Sequence, residues 1–158
     1  MFSPTTVILG TVVAGMIGRQ IAVHALSKLS MSTLDYMGHI TCYENENVNK
    51  RLQKLDTKIK IQTVHELFKK GKVYPKECEC CIYEIKEILV SIEEDFKKIL
   101  IKLDNHKNKW FSSWRTTNCS SELELLEFHI NILDSRLTYL IKVMSICKNQ
   151  IEYKEQSN

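Results

Sequence analysis

The apolar residues of this 158-residue chain recur at alternating steps of three and four over two long stretches, residues 75–112 and 121–153. Because an α-helix turns once every ~3.6 residues, this spacing puts the apolar residues of each stretch on one helical face. The two faces consist of Cys78, Ile82, Ile85, Leu89, Ile92, Phe96, Ile99, Leu103, His106 and Trp110, and of Leu123, Leu126, Ile130, Leu133, Leu137, Leu140, Met144, Cys147 and Ile151.

The two apolar faces can be matched in opposite directions, with Ile82 facing Cys147 and Leu103 facing Leu126. This match predicts a long antiparallel helical hairpin over residues 75–153 that folds back near Trp114. A slip of one whole heptad preserves the pattern, so the spacing predicts the hairpin more strongly than its register.

A third amphipathic stretch, residues 47–70, carries apolar residues that include Val48, Leu52, Ile59, Val64 and Phe68, with lysines between them. We expect one helix here, packed on the hairpin. The sequence therefore predicts an all-α fold in which residues 47–158 form a three-helix bundle and residues 35–46 form a linker. The low counts of glycine and proline, 5 and 2, disfavour a turn-rich β-fold.

The first 34 residues are predicted to form an apolar helix that associates with a membrane, because no charged residue precedes Arg19. A helix from Thr5 to Gly18 is ~21 Å long, shorter than the ~30 Å hydrocarbon core of a bilayer. Extension to Leu26 reaches ~33 Å but places Arg19 inside the span. We therefore expect either a marginal single span or a deep interfacial helix, with the later residues on the cytoplasmic side, where positive charge accumulates.

Small residues follow one stripe of this helix, a pattern that lets two helices approach closely in lipid. Glycines that are merely tolerated in an apolar helix would give the same pattern. If the segment is a detached anchor, removal of residues 1–30 should leave a soluble helical bundle. The candidate packing residues are Gly10, Ala14, Gly15, Gly18 and Ala22.

The net charge of +3 is modest, but residues 46–75 hold eight basic and three acidic side chains. Such a segment is able to attract anionic lipid or nucleic acid. The acidic stretch that follows can neutralise it within the fold, and no aromatic side chains alternate with the lysines. Nucleic-acid binding is therefore not favoured.

The cysteines and tryptophans supply two further candidate sites. The hairpin places Cys147 near Cys78 and Cys81, which predicts a disulfide in an oxidising compartment and small core residues in a reducing one. The His39/Cys42 pair lies at the other end of a long helix, so no metal site is expected. The predicted hairpin tip gathers aromatic and basic residues suited to a membrane interface or a protein contact, or to capping the core: Trp110, Phe111, Trp114 and Arg115.

No phosphate-binding, dinucleotide-binding, zinc-protease or serine-hydrolase motif occurs in the sequence. We therefore expect a protein that is not an enzyme and that takes neither a cofactor nor a small-molecule substrate. The apolar, glycine-bearing first helix followed by an amphipathic bundle resembles the layout of the HeLo and RPW8-type cell-death domains. That resemblance implies a bundle that permeabilises membranes.

The main functional hypothesis is a membrane-anchored structural or interaction protein whose partners are lipid and other protein subunits, including copies of itself. The high content of Lys, Ile and Asn is typical of an AT-rich genome, such as that of a protist or a large DNA virus. A subunit of a membrane-associated assembly or an inner virion component would fit both observations. The alternatives are the permeabilising bundle and a soluble adaptor whose first helix is buried in its own bundle.

Overall fold

The structure is a computed structural model that describes residues 4–69, 72–109 and 117–156, with side chains described between residues 15 and 151 of those ranges. Within these ranges the chain is all-α and packs as a helical bundle, as the sequence predicts. The helices are α1 (Pro4–Thr41), α2 (Glu46–Lys54), α3 (Thr57–Leu67), α4 (Glu79–Lys107) and α5 (Ser120–Gln156), and one turn of 3-10 helix, Lys76–Cys78, leads into α4.

The first helix runs parallel to α4 along the whole length of α4. Arg19 contacts Glu79 at the start of α4, and Tyr43, just after α1, donates a hydrogen bond to Asp104 near its end. The α2–α3 pair runs back beside α1 in the opposite direction, and α5 returns beside α4. The bundle therefore consists of four rows of helix that lie side by side: α1, α4, α5, and the α2–α3 pair, which together form one row.

The predicted hairpin forms, but its register differs from the predicted one by about one heptad. Lys102 lies 2.6 Å from Glu122 and Glu84 lies 3.1 Å from Arg136. The predicted register would have put residues 127 and 145 at those positions. A slip of seven residues keeps the apolar positions in the core, so polar contacts beside the seam decide between the two registers.

The predicted single helix over residues 47–70 is two helices. Leu55 and Asp56 form a turn between α2 and α3, and Asp56 takes a left-handed backbone with φ of 50°. Aspartate tolerates this conformation better than most residues. The turn changes the phase of the pattern, so that Ile61 is buried and Ile59, a predicted core residue, is 62% exposed.

The predicted linker over residues 35–46 is largely helical, because α1 continues to Thr41 and only residues 42–45 connect it to α2. Met37 and Ile40 extend the buried face of α1 at helical spacing, so stopping the helix at residue 35 would leave both without a packing surface. Gly38, which falls inside the predicted linker, lies on the exposed side of α1.

The segment predicted to be a detached anchor contributes to the core. Ala22, Val23 and Leu26 are buried among α3 and α4, and Ser30 is fully buried. The Ser30 hydroxyl donates to the Ser27 carbonyl at 2.8 Å and lies 3.2 Å from His65 Nδ1 on α3. The bundle therefore needs α1 as its fourth row, and removal of residues 1–30 would expose the apolar faces of α3 and α4.

We predict that Leu26→Ala lowers the free energy of unfolding by ~2–5 kcal/mol, because the deletion leaves a cavity in the core. Met31→Ala on the same helix is the matched control, since Met31 is 46% exposed and its truncation should change stability by less than ~0.5 kcal/mol. Urea denaturation followed by circular dichroism measures both variants. Equal stabilities for the two variants would contradict the packing of α1 in the core.

Candidate functional site

The amino-terminal part of α1 extends past the end of the bundle. The helix begins at Pro4, but the start of the parallel helix α4, Glu79, lies beside Arg19. Residues 4–18 therefore project past α4 over ~22 Å. We call residues 4–18 the overhang; its sequence carries no charged side chain.

Exposed apolar side chains lie at the base of the overhang. Ile17 is 52% exposed and Ile21 is 64% exposed, and both lie on the outer side of α1. Met16 lines a small cleft with Val73 and Tyr74 of the segment between α3 and α4, and Val73 is itself 71% exposed. The base of the overhang and this connecting segment thus form one partly apolar surface at the end of the bundle.

Lys72 lines the same cleft as Met16 and Val73, and Lys69 and Lys76 belong to the same connecting segment. Lys69 pairs with Glu66 at 2.6 Å and lowers the pKa of that carboxyl through a hydrogen bond. The Lys72 ammonium donates to the Glu66 carbonyl oxygen, which is neutral, so its charge is not cancelled there. The surface combines apolar residues with cationic ones.

Arg19 marks the boundary between the overhang and the bundle. Its guanidinium lies 3.3 Å from the Glu79 carboxylate, and its side chain is only 14% exposed. A span that extended to Leu26 would require this pair to separate and the buried face of α1 to leave the core. Where side chains are described, no helix combines the length and the apolar character needed to cross a membrane.

The predicted stripe of small residues divides between the bundle and the overhang. Gly18 faces α4, where a Cβ would lie 3.8 Å from the Tyr83 hydroxyl, and Ala22 is buried in the core. A Cβ at Gly15 would meet only the Arg19 side chain of the same helix, at 3.7 Å. Gly10 and Ala14 lie outside the residues whose side chains the structure describes.

An Asp95–His129 pair, which the sequence pattern does not reveal, joins α4 to α5. Asp95 is 1% exposed, and its carboxylate lies 2.5 Å from His129 Nδ1. The sequence predicts that the acidic run at residues 93–95 is a solvated face, and for Asp95 this prediction is wrong, because the residue lies between α4 and α5. One feature of the sequence could have revealed the pair. Asp95 directly precedes the core residue Phe96, and His129 directly precedes the core residue Ile130, so both border the apolar contact between α4 and α5.

The chemistry of this pair is structural. A carboxylate that orients a histidine forms part of a catalytic triad when the ring also bonds a nucleophile. In the described part of the chain no hydroxyl or thiol bonds to the His129 ring, whose hydrogen-bond partner is Asp95. The pair is therefore best understood as a polar contact that selects the register of α4 against α5.

The cysteines predicted to form a disulfide lie near one another as free thiols. Burial raises the pKa of Cys78 to about 11, and the neighbouring Cys147 and Cys81 thiols contribute further. A disulfide among these residues stays a prediction. In the described ranges no group of three or more His, Cys, Asp or Glu side chains is arranged to hold a metal ion.

The predicted interaction tip falls outside the described residues. Trp110, Phe111, Trp114 and Arg115 all belong to residues 110–116. Their proposed contact with a membrane or a protein stays a prediction. Residues 117–119, which follow them, are not helical and lead into α5.

We predict that Asp95→Ala and His129→Ala each destabilise the bundle by ~1–3 kcal/mol, because either change leaves a buried polar group without its partner. The double variant should show a coupling of ~0.5–3 kcal/mol in a double-mutant cycle measured by urea denaturation. The control cycle is the exposed pair of Glu46 and Lys50, where we expect no measurable coupling. Additive effects of Asp95→Ala and His129→Ala would contradict the contact.

We predict that iodoacetamide at pH 8 modifies Cys42 and Cys80 first, because both side chains are exposed. Cys78, Cys81 and Cys119 are buried, and burial raises the pKa of all three thiols, so little reactive thiolate is present. Those three should react only when urea unfolds the chain. Mass spectrometry of timed samples measures the order, and labelling of Cys78 as fast as Cys80 would contradict it.

The chain is similar to a protein of Acanthamoeba polyphaga mimivirus described as uncharacterized protein L717. The two are 28% identical in an alignment that covers 98% of this chain and 87% of that protein. No protein-family model matches the chain. No solved structure shows significant similarity to it either.

Proposed function

We propose that this protein is a non-enzymatic helical bundle that attaches to a membrane through the overhang and acts as a subunit of a membrane-associated assembly. The observation that supports the proposal is the overhang itself. Residues 4–18 of α1 extend past the start of α4, and they belong to the longest charge-free stretch of the chain.

Lipid offers the overhang a surface on which its apolar side chains leave water. Each Val, Ile or Leu of this segment contributes ~0.3–0.6 kcal/mol to insertion. A length of ~22 Å is shorter than a hydrocarbon core of ~30 Å, so the overhang enters the membrane without spanning it. Arg19 then remains at the surface, where its contact with Glu79 is kept.

The lysines beside the overhang favour a lipid surface over an apolar protein groove. Each basic residue near an anionic membrane contributes ~1 kcal/mol, and Lys72 and Lys76 lie in the segment next to the base of the overhang. Their alkyl stems are long enough to keep the ammonium groups among the headgroups. Positive charge beside the apolar helix also supports a bundle on the cytoplasmic side.

The mimivirus relative supports a viral setting for the assembly, because the alignment covers nearly all of this chain. We propose that the assembly is a membrane-associated complex of a virus, such as an inner component of the virion. A bundle with a lipid-binding end is suited to link a membrane to proteins that lie beneath it.

The experiment is flotation of the full chain with vesicles of phosphatidylcholine alone and of phosphatidylcholine with phosphatidylserine. The variant Leu9→Glu/Ile17→Glu puts two carboxylates in the overhang. The matched control, Ile59→Glu/Ile101→Glu, adds the same charge at positions 62% and 59% exposed on α3 and α4. Circular dichroism checks that all three chains are equally helical.

We predict that the wild-type chain floats with anionic vesicles and that the overhang variant binds them at least ~10-fold more weakly, since charged groups are costly in lipid. The control variant should bind like the wild type. A wild-type chain that stays at the bottom of the gradient with both kinds of vesicle would support a soluble adaptor instead. Release of a trapped dye would support the permeabilising bundle.

A further inference from the structure

We propose that α5 binds the α5 helix of a second copy of this chain, in antiparallel orientation, to form a twofold-symmetric dimer. The contact surface is an apolar stripe along the side of α5 that borders its core-facing side. We call it the outer α5 face. It consists of six residues: Leu125, Phe128, Ile132, Tyr139, Val143 and Ile146.

Four residues of the stripe are exposed, whereas Ile132 and Val143 are partly buried because they also pack against the core. Leu125 is 40% exposed, and Phe128, Tyr139 and Ile146 are 59%, 57% and 57% exposed. The ion pairs of α5 point elsewhere, with Arg136 toward α4 and Asp134 toward α3. Large aromatic residues are costly to expose and are enriched in protein interfaces.

The spacing of the stripe reads the same in both directions along the helix. Its successive steps are three, four, seven, four and three residues. An antiparallel copy therefore puts Leu125 opposite Ile146, Phe128 opposite Val143, and Ile132 opposite Tyr139. Two identical surfaces related in this way form a closed, isologous contact.

Side-chain size favours the antiparallel pairing over a parallel one. In the antiparallel pair Phe128 and Tyr139 each lie against a branched aliphatic residue, so the separation of the two helices stays even along the contact. A parallel pair would place Phe128 against Phe128 and Val143 against Val143. The two Phe128 rings would then hold the helices too far apart for the two Val143 side chains to pack closely.

Charge also favours the antiparallel pairing. Glu124 and Lys142 border the stripe on the same side. In the antiparallel pair Glu124 of one copy comes within ~8 Å of Lys142 of the other along the helix axis, within reach of a long lysine side chain. A parallel pair keeps these opposite charges on different sides of the contact.

The centre of the stripe suits the symmetry axis, which would pass between Ser135 and Arg136. Ser135 is small, and its hydroxyl already donates to the Asn131 carbonyl at 3.1 Å, so its burial leaves no unpaired donor. Arg136 would lie close to its symmetry mate. The Arg136 guanidinium forms an ion pair with Glu84 of its own chain, with 3.1 Å between Nε and Oε2, which directs its charge toward α4.

The dimer has a consequence for membrane attachment that rests on the proposed function. The overhang lies at the end of the bundle to which the carboxyl end of α5 returns. An antiparallel dimer therefore points its two overhangs in opposite directions. Such a dimer would link two lipid surfaces, whereas the dimer itself needs no lipid.

The first experiment is sedimentation of the full chain without lipid over a range of concentrations. We expect a monomer–dimer equilibrium that Phe128→Glu/Tyr139→Glu weakens at least ~10-fold, because the change puts four charges in one apolar contact. The dimer should persist in Ile59→Glu/Ile101→Glu and in the overhang variant Leu9→Glu/Ile17→Glu. A chain that stays monomeric, or equal weakening by the stripe and control variants, would overturn the proposal.

The second experiment tests the orientation by disulfide trapping in a background with the exposed Cys42 and Cys80 and the half-buried Cys147 changed to serine. Ser135→Cys puts two thiols close to the symmetry axis, and we expect oxidation to link the two chains. Leu125→Cys places its two thiols ~30 Å apart in the antiparallel dimer and should not link above the level of the background chain. Efficient linking through Leu125→Cys would indicate a parallel dimer and overturn the proposal.

Discussion

Burial of the apolar face of α4 between α1 and α5 is the constraint on which the rest of the structure depends. From Cys81 to Leu103 that face is buried along the whole helix, and Ile85, Ile92 and Phe96 have no exposed surface. A single partner helix covers only part of so wide a face. Long helices are therefore needed on both sides of α4.

Polar contacts beside the apolar residues of α4 and α5 select the register in which the two helices pack. Apolar packing alone permits heptad slips, because leucine and isoleucine recur at every turn. The Asp95–His129 pair and the ion pair of Lys102 with Glu122 are satisfied in one register. Their main contribution is thus to select one arrangement among several of similar apolar burial, and a buried pair of this kind costs desolvation energy that the packing offsets.

Two different environments act on α1. From Ala22 onward it is a bundle helix with a buried face and a few satisfied polar groups, among them Ser30 and Thr33. Before Arg19 it carries no charged residue, and most of it precedes the start of α4 along the bundle. One continuous helix therefore joins the core of the bundle to an apolar segment for which we propose a partner outside the chain. Lipid at one end and a second copy along α5 would then occupy separate surfaces.

The amino-acid pattern alone predicts the helical class, the antiparallel hairpin of α4 and α5 and most of its buried residues, because periodicity reports which face of a helix leaves water; Ile151, a predicted core residue, is 57% exposed. The pattern also shows where charge is missing. Only the tertiary structure decided that α1 belongs to the core, since an apolar helix is equally suited to lipid and to the inside of a bundle. The same holds for the break at Asp56, the register of the hairpin and the burial of Asp95. Each depends on contacts between residues distant in the chain, about which local spacing carries no information.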